Sequence, residues 1–194
     1  MSEGKKIALI TGATRGIGLA IAKQLAKDGY IILGTGTNDN SRNTLKKEFE
    51  DSNIDGKSYI LDIKSQESVD QLFNDINDDY SNTPDVLVNN AGIAGPNHKT
   101  WEYPIEDWQQ VINIDLSGVF YCCKSVLSHM KKQKDGLIIN VSSWAGKEVS
   151  LLSGVTYTSS KHAVNAMTET INMKYCNVGI RACALCPGEV ATPI

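Results

Sequence analysis

Ile7-Ala-Leu-Ile10, running into Thr11-Gly12-Ala13-Thr14-Arg15-Gly16-Ile17-Gly18, is the stretch that decides the fold. Four consecutive apolar residues are what a strand buried on both faces shows. The apolar positions Ile17, Ile21 and Leu25 then recur every four residues until Gly29, placed as a helix-ending glycine would be. Strand, glycine turn and helix, with a second strand over 30–35, complete a βαβ unit. Such a turn suits a phosphate, because glycines allow close backbone approach and a helix N-terminus offers unpaired N–H groups and partial positive charge. A tight turn packed for its own sake is the plainer alternative, and the βαβ context favours a nucleotide.

The end of the second strand bears on which dinucleotide is expected. A free ribose 2′-hydroxyl is usually held by a carboxylate there, whereas a 2′-phosphate needs donors or cations. The sequence reads Gly34-Thr35-Gly36-Thr37-Asn38 with no acid before Asp39, and Arg15 sits inside the glycine turn. This favours NADP(H) over NAD(H). Two alternatives stay open: Arg15 as a solvated turn residue, and Asp39 as a ribose ligand.

Further along, 40–50 reads as a charged surface helix and 57–63 as a third strand, with Asp62 at its end either to accept from an adenine amino group or to cap a helix starting near Ser65. Val69, Leu72, Phe73 and Ile76 give that helix an apolar face. A fourth strand, 85–88, meets Asn89-Asn90-Ala91-Gly92, where side-chain amides can tie neighbouring strands and the small Ala-Gly pair leaves room for a flat ring. An Asn-Gly-type turn is the alternative. One long helix is expected over 105–131, with Asn113 as its notable polar residue, suited to binding a water. A fifth strand over 136–141 leads to Ser143, and a sixth covers 180–185.

Between the last two strands lies Tyr157-Thr-Ser-Ser-Lys161. On a helix, positions i and i+4 share a face, so Tyr157 and Lys161 point into one cleft. A free phenol exchanges its proton near pH ~10, and an ammonium one turn away favours the phenolate. The pair reads as a tunable proton donor, although the pentapeptide taken alone is more simply two amphipathic residues on a solvated helix, a spacing that arises often by chance.

The 194 residues suit one domain, and a net charge of −3 with 41% hydrophobic residues argues against a nucleic-acid surface. No apolar run approaches the ~20 residues of a membrane span, and no leader precedes the first strand, so a cytoplasmic protein is expected. Cys122, Cys123, Cys176, Cys183 and Cys186 lack a disulfide-scaffold spacing. Cys183 and Cys186, three apart in an extended run, point to opposite sheet faces, so no metal site is expected.

Taken together, Thr11-Gly12-x-x-x-Gly16-x-Gly18, Asn89-Asn90-Ala91-Gly92, Asn113, Ser143, Tyr157-x-x-x-Lys161 and Pro187-Gly188 resemble the short-chain dehydrogenase/reductase family along the whole chain. The likeness is greatest to its NADP-using branch that includes 3-oxoacyl-[acyl-carrier-protein] reductases. The resemblance implies a three-layered, doubly wound parallel α/β sheet of Rossmann type and hydride transfer between nicotinamide and a carbonyl or secondary alcohol. It also implies Asn113, Ser143, Tyr157 and Lys161 as catalytic residues. The cofactor would meet Gly12, Thr14, Arg15, Gly16, Ile17, Gly18, Thr37, Asp62, Ile63, Asn89, Ala91, Gly92, Tyr157, Lys161, Pro187, Gly188, Val190 and Thr192. Homodimers or homotetramers are implied through the two long helices, burying Val119, Met167 and Ile171. Members usually continue past the Pro-Gly turn into a substrate lid and a seventh strand, so 1–194 is expected to be a single domain lacking both. A cofactor-binding sensor or scaffold without turnover is the competing expectation.

Overall fold

A computed structural model describes residues 4–191. Six strands, β1 (Ile7–Ile10), β2 (Ile31–Gly36), β3 (Gly56–Ile60), β4 (Val86–Asn89), β5 (Gly136–Val141) and β6 (Ile180–Leu185), form one sheet in the order β3-β2-β1-β4-β5-β6. All pairings are parallel. The connecting helices are α1 (Gly16–Lys27), α2 (Asp39–Asp51), α3 (Gln66–Tyr80), α4 (Ile105–Ile112), α5 (Val119–Gln133) and α6 (Val155–Tyr175).

The period of two along each strand sorts the core into two layers. Ala8, Ile10, Ile32 and Val88 pack with Ala22 of α1 and Leu45 and Phe49 of α2. Leu9, Leu33, Leu87 and Ile138 face Phe73 of α3, Val126 of α5 and Val164 of α6 on the other side. Continuous apolar strands are therefore buried on both faces, as expected of a doubly wound sheet. The chain builds outward from β1 to β3 and returns to place β4 on the other side of β1. That reversal opens a crevice at the carboxyl ends of β1 and β4, where ligands of open α/β sheets bind.

Several local expectations are corrected. The third strand ends at Ile60, before Asp62. Ser65 itself caps α3, its hydroxyl accepting from Ser68 N at 3.1 Å, while Asp62 Oδ1 accepts from Lys64 N at 3.2 Å and caps no helix. The long helix is interrupted by a π-helical turn, Asn113–Gly118, between α4 and α5. Gly118 lies against Ile63, where a side chain would strike that residue's carbonyl. By length and composition Ile105–Gln133 is apolar enough to cross a membrane, contrary to the reading of the sequence; its Val119, Cys122, Val126 and Met130 are buried in the core. Val119 and Ile171, expected at a subunit interface, also lie in this chain's own core. Ile105, Trp108, Phe120 and Met173 are the large apolar residues of those helices left exposed.

Candidate active site

The glycine turn is held from three sides. Gly12 and Gly16 have φ of +65° and +57°, a region that L side chains rarely adopt. Thr35, at the end of β2, accepts from Gly12 N through its hydroxyl and from Ala13 N through its carbonyl, both at 3.1 Å. Asn90 Nδ2 donates to the carbonyls of Thr11 and Gly12 at 3.0 Å, and Thr11 Oγ1 accepts from Asn90 N and Ala91 N. A Cβ on Gly18 would collide with Asn90 Nδ2, so α1 can approach β4 this closely only with glycine there. No side chain caps α1 and no acid occupies its first turn. Its first N–H groups are left for an external acceptor, and the turn fits a phosphate.

Around this turn the expected cofactor contacts take distinct places. Thr14, Ile17 and Ala91 are partly buried, and Arg15, Thr37, Asp62 and Gly92 are exposed. Asp39, the first acid after β2 in sequence, lies in the first turn of α2 with its carboxylate 2.7 Å from Arg42 Nη2. Val190 shares a groove with Gly16, Ile17 and Leu185, bringing the segment after Pro187-Gly188 to the glycine turn. Ile63 is buried in the core. Asn89 is buried, and its amide donates to Asn140 Oδ1 at 2.8 Å, tying β4 to β5. Thr192 lies outside the described residues.

The second half of the crevice is built by β5 and α6. Ser142 N donates to Leu185 O at 2.7 Å and Trp144 N to Pro187 O at 2.8 Å, which fixes Ser143 between two strand ends. Ser143 Oγ accepts from Ala145 N at 3.2 Å. Ser142 Oγ donates to Lys161 O, and Asn165 Nδ2 to Gly146 O, so α6 is fastened to the same turn. One face of α6 carries Tyr157 and Lys161 as the spacing predicts, with Lys161 Nζ 5.4 Å from the centroid of the Tyr157 ring. No hydrogen bond among the described residues engages the Tyr157 hydroxyl.

Asn113 is not part of this cluster. It is exposed at the start of the π turn. Asp115, two residues on, is fully buried, with Oδ2 3.2 Å from Lys161 Nζ and Oδ1 accepting from Ile93 N at 2.9 Å. Lys161 Nζ also donates to Val141 O at 3.2 Å. Burial pushes the Asp115 carboxyl up from its ordinary range, opposed by the Lys161 charge and the Ile93 N–H. The signal that could have found Asp115 is an acid set between Ile114 and Leu116 in a helix whose inner face is otherwise apolar.

Comparison with known proteins agrees with this geometry. The short chain dehydrogenase family model matches residues 6–194. A 3beta-hydroxysteroid dehydrogenase of Mediterraneibacter gnavus is 36% identical over 190 residues, covering 98% of this chain and 68% of that protein. Among solved structures, an actinorhodin polyketide ketoreductase variant with NADPH superposes with a TM-score of 0.92 at 34% identity, covering 97% of this chain and 72% of that one. An NAD+-bound xylitol dehydrogenase gives a TM-score of 0.89 at 31% identity, with coverage of 97% and 72%. With the glycine turn, the Tyr157–Lys161 face and the sheet order all in place, the chain belongs to the short-chain dehydrogenase family of oxidoreductases.

Proposed function

We propose that this chain interconverts a small-molecule carbonyl and the corresponding secondary alcohol with NADP(H) in preference to NAD(H), and that Tyr157 is its proton donor and acceptor. The observation that carries the reading is the Tyr157–Lys161 pair, one residue with an unengaged hydroxyl and the other a buried ammonium beside its ring. When bound, the nicotinamide cofactor supplies the hydride. The protein supplies the rest. Ser143 and Tyr157 donate hydrogen bonds to the substrate oxygen, so that charge developing there is met by two donors. Lys161 holds its ammonium beside the phenol ring.

The residues that would hold the cofactor are the glycine turn from Gly12 to Gly18, Ala91 and Gly92, Lys161, and the segment from Pro187 to Val190. Preference for NADP(H) rests on Arg15 and Thr37 lying exposed where no strand-end acid repels a phosphate, Asp39 being paired with Arg42. Both nicotinamide dinucleotides occur among the structural relatives. The exposed Phe120 beside Tyr121, Leu116 and Met167 gives a face for a homo-oligomer. Five free cysteines suit a reducing compartment, and we place the protein in the cytoplasm.

Fluorescence titration tests the cofactor choice: NADPH is expected to bind at least about tenfold more tightly than NADH, a difference of about 1.4 kcal/mol. Equal affinities would overturn the preference and return Asp39 to consideration. A panel of carbonyl compounds assayed with NADPH tests the reaction, with Tyr157→Phe expected to lose turnover and keep cofactor affinity.

A further inference from the structure

Single apolar side chains at a surface need no explanation, but a group of them marks a place where the protein meets something else. Among the described residues, Trp101, Trp144, Val149, Leu151 and Leu152 are large, apolar and exposed, and all five lie in two loops, 90–104 and 142–154, that leave the carboxyl ends of β4 and β5. Val149, Leu151 and Leu152 are 81%, 98% and 83% exposed, on the loop that joins Ser143 to the helix bearing Tyr157. The two loops are fastened together. Asn97 Nδ2 donates to Leu151 O at 3.1 Å, and a Cβ on Gly154 would strike Pro96 O. Between them lies a cavity of about 410 Å³, lined by Lys99, Trp101, Val149 and Leu151. It reaches Val155 and Thr158 on the first turn of α6, the turn that carries Tyr157. That volume is within the range of small-molecule sites, about 300–1,000 Å³.

We propose that the substrate is a bulky, uncharged carbonyl compound or alcohol whose apolar skeleton lies between these two loops, with Trp101, Val149 and Leu151 as specificity-determining residues. The inference rests on the reading of Tyr157 as proton donor above. That reading puts the substrate oxygen at Ser143 and Tyr157, and so the remainder of the molecule beside the loops that flank them. Concavity selects a small molecule over a second copy of the chain, whose contact would need a broad face. Charge selects an uncharged one. His98 aside, each loop carries one base and one acid, Lys99 with Glu102 and Lys147 with Glu148. Lys99 Nζ lies 5.2 Å from the centroid of the Trp101 ring, and Glu102 accepts from Trp101 Nε1, so opposite charges flank the indole and leave no net anchor for a carboxylate or phosphate. An apolar skeleton takes the exposed side chains out of water on binding, whereas a charged one would give up hydration without a fixed partner in exchange.

The test compares NADPH-dependent reduction of decalone, cyclohexanone and a cyclohexanone bearing a ring carboxylate, which share a ring ketone and differ in apolar bulk and charge. For the wild type, kcat/KM should be highest for decalone, about tenfold or more above cyclohexanone, and lowest for the keto acid. The double variant Val149→Ser/Leu151→Ser should lower the decalone-to-cyclohexanone ratio about tenfold, mainly through KM for decalone, and Trp101→Ala should act in the same direction. Met173→Ser, which changes an exposed apolar residue near the far end of α6, should leave the ratio where it is. All of these side chains are exposed, so the variants keep the fold, and thermal melting checks that. A wild-type ratio near one, unmoved by the loop variants, would overturn the inference and leave the reading of Tyr157 intact. So would a preference for the keto acid, which would make Lys99 an anion anchor. A double variant that kept the ratio but sedimented as a smaller species would assign the loops to an interface between copies and overturn it too. If the wild type reduced none of the three ketones, the reading of Tyr157 would fall and this inference with it.

Discussion

Two clusters of tyrosine, lysine and aspartate stand among the described residues, one at the sheet edge and one in the crevice where the chemistry is proposed. At the sheet edge, Lys57 Nζ lies 5.2 Å from the centroid of the Tyr59 ring and pairs with Asp79. In the crevice, Lys161 Nζ lies 5.4 Å from the Tyr157 ring and pairs with Asp115. The lysine–ring geometry is nearly the same, so it does not distinguish the two. Burial and the fate of the hydroxyl do. Lys57 and Asp79 keep 49% and 32% of their side chains exposed, against 6% and 0% for Lys161 and Asp115. Tyr59 donates its hydroxyl to Asp79 at 2.7 Å; burial and then that carboxylate push its phenol up, so it stays protonated and engaged. Asp79 is correspondingly held below its ordinary range by the hydrogen bonds of Lys57 and Tyr59, whereas burial raises Asp115. The same three residue types form a clamp at the solvent-exposed rim and a buried pair beside a free phenol in the crevice.

Breaking the buried cluster should have the largest effect. Asp115→Leu leaves Lys161 buried without its counter-charge and is expected to cost about 3–5 kcal/mol in chemical denaturation, most of it recovered in the double variant Asp115→Leu/Lys161→Met. An additive double variant would show that the two charges do not compensate one another. Next comes the pair of tyrosines. Tyr157→Phe should cut turnover about 100-fold or more with stability little changed. Tyr59→Phe should leave turnover alone and cost about 1.5–3 kcal/mol, for a hydrogen bond to a charged partner. Equal turnover in the two variants would erase the contrast between the clusters.

The pH dependence of stability sharpens the comparison by sign. Asp115 has a raised folded-state pKa, so its contribution is fully present below the unfolded carboxylate range and is lost as pH rises through the raised value. Asp79 has a lowered one, so its contribution is present above the unfolded range and is lost as pH falls through the lowered value. Difference curves for Asp115→Asn and Asp79→Asn between pH 3 and pH 8, a range chosen to span about the carboxylate values, should therefore slope in opposite directions. Parallel slopes would mean that burial does not dominate at Asp115. The smallest effect belongs to Lys57→Ala, at most about 1 kcal/mol and shrinking with added salt, since exposed pairs are screened. A larger, salt-independent loss would place the rim pair in the same class as the buried one.

The sequence by itself carried the architecture, because strand burial on both faces, the glycine turn and helical periodicity are local patterns with local causes. The βαβ start at Ile7–Gly18, the α6 face shared by Tyr157 and Lys161, and Ser143 after β5 all follow from spacing along one element. Asn89 and Asn90, too, were legible as strand ties, the first to β5 and the second to the turn after β1. What spacing could not settle was which polar residue of the helix over 105–133 meets the active face. Asn113 and Asp115 both interrupt an apolar run, and a continuous α-helix gives no reason to choose the second. The choice is made by the π turn, which alters the angular register after Ile112, and by α6, distant in sequence, whose Lys161 offers the one buried cation able to keep a carboxylate there. Only the tertiary structure decides that, because the free energy of a buried charge depends on the group packed against it and not on its neighbours in the chain.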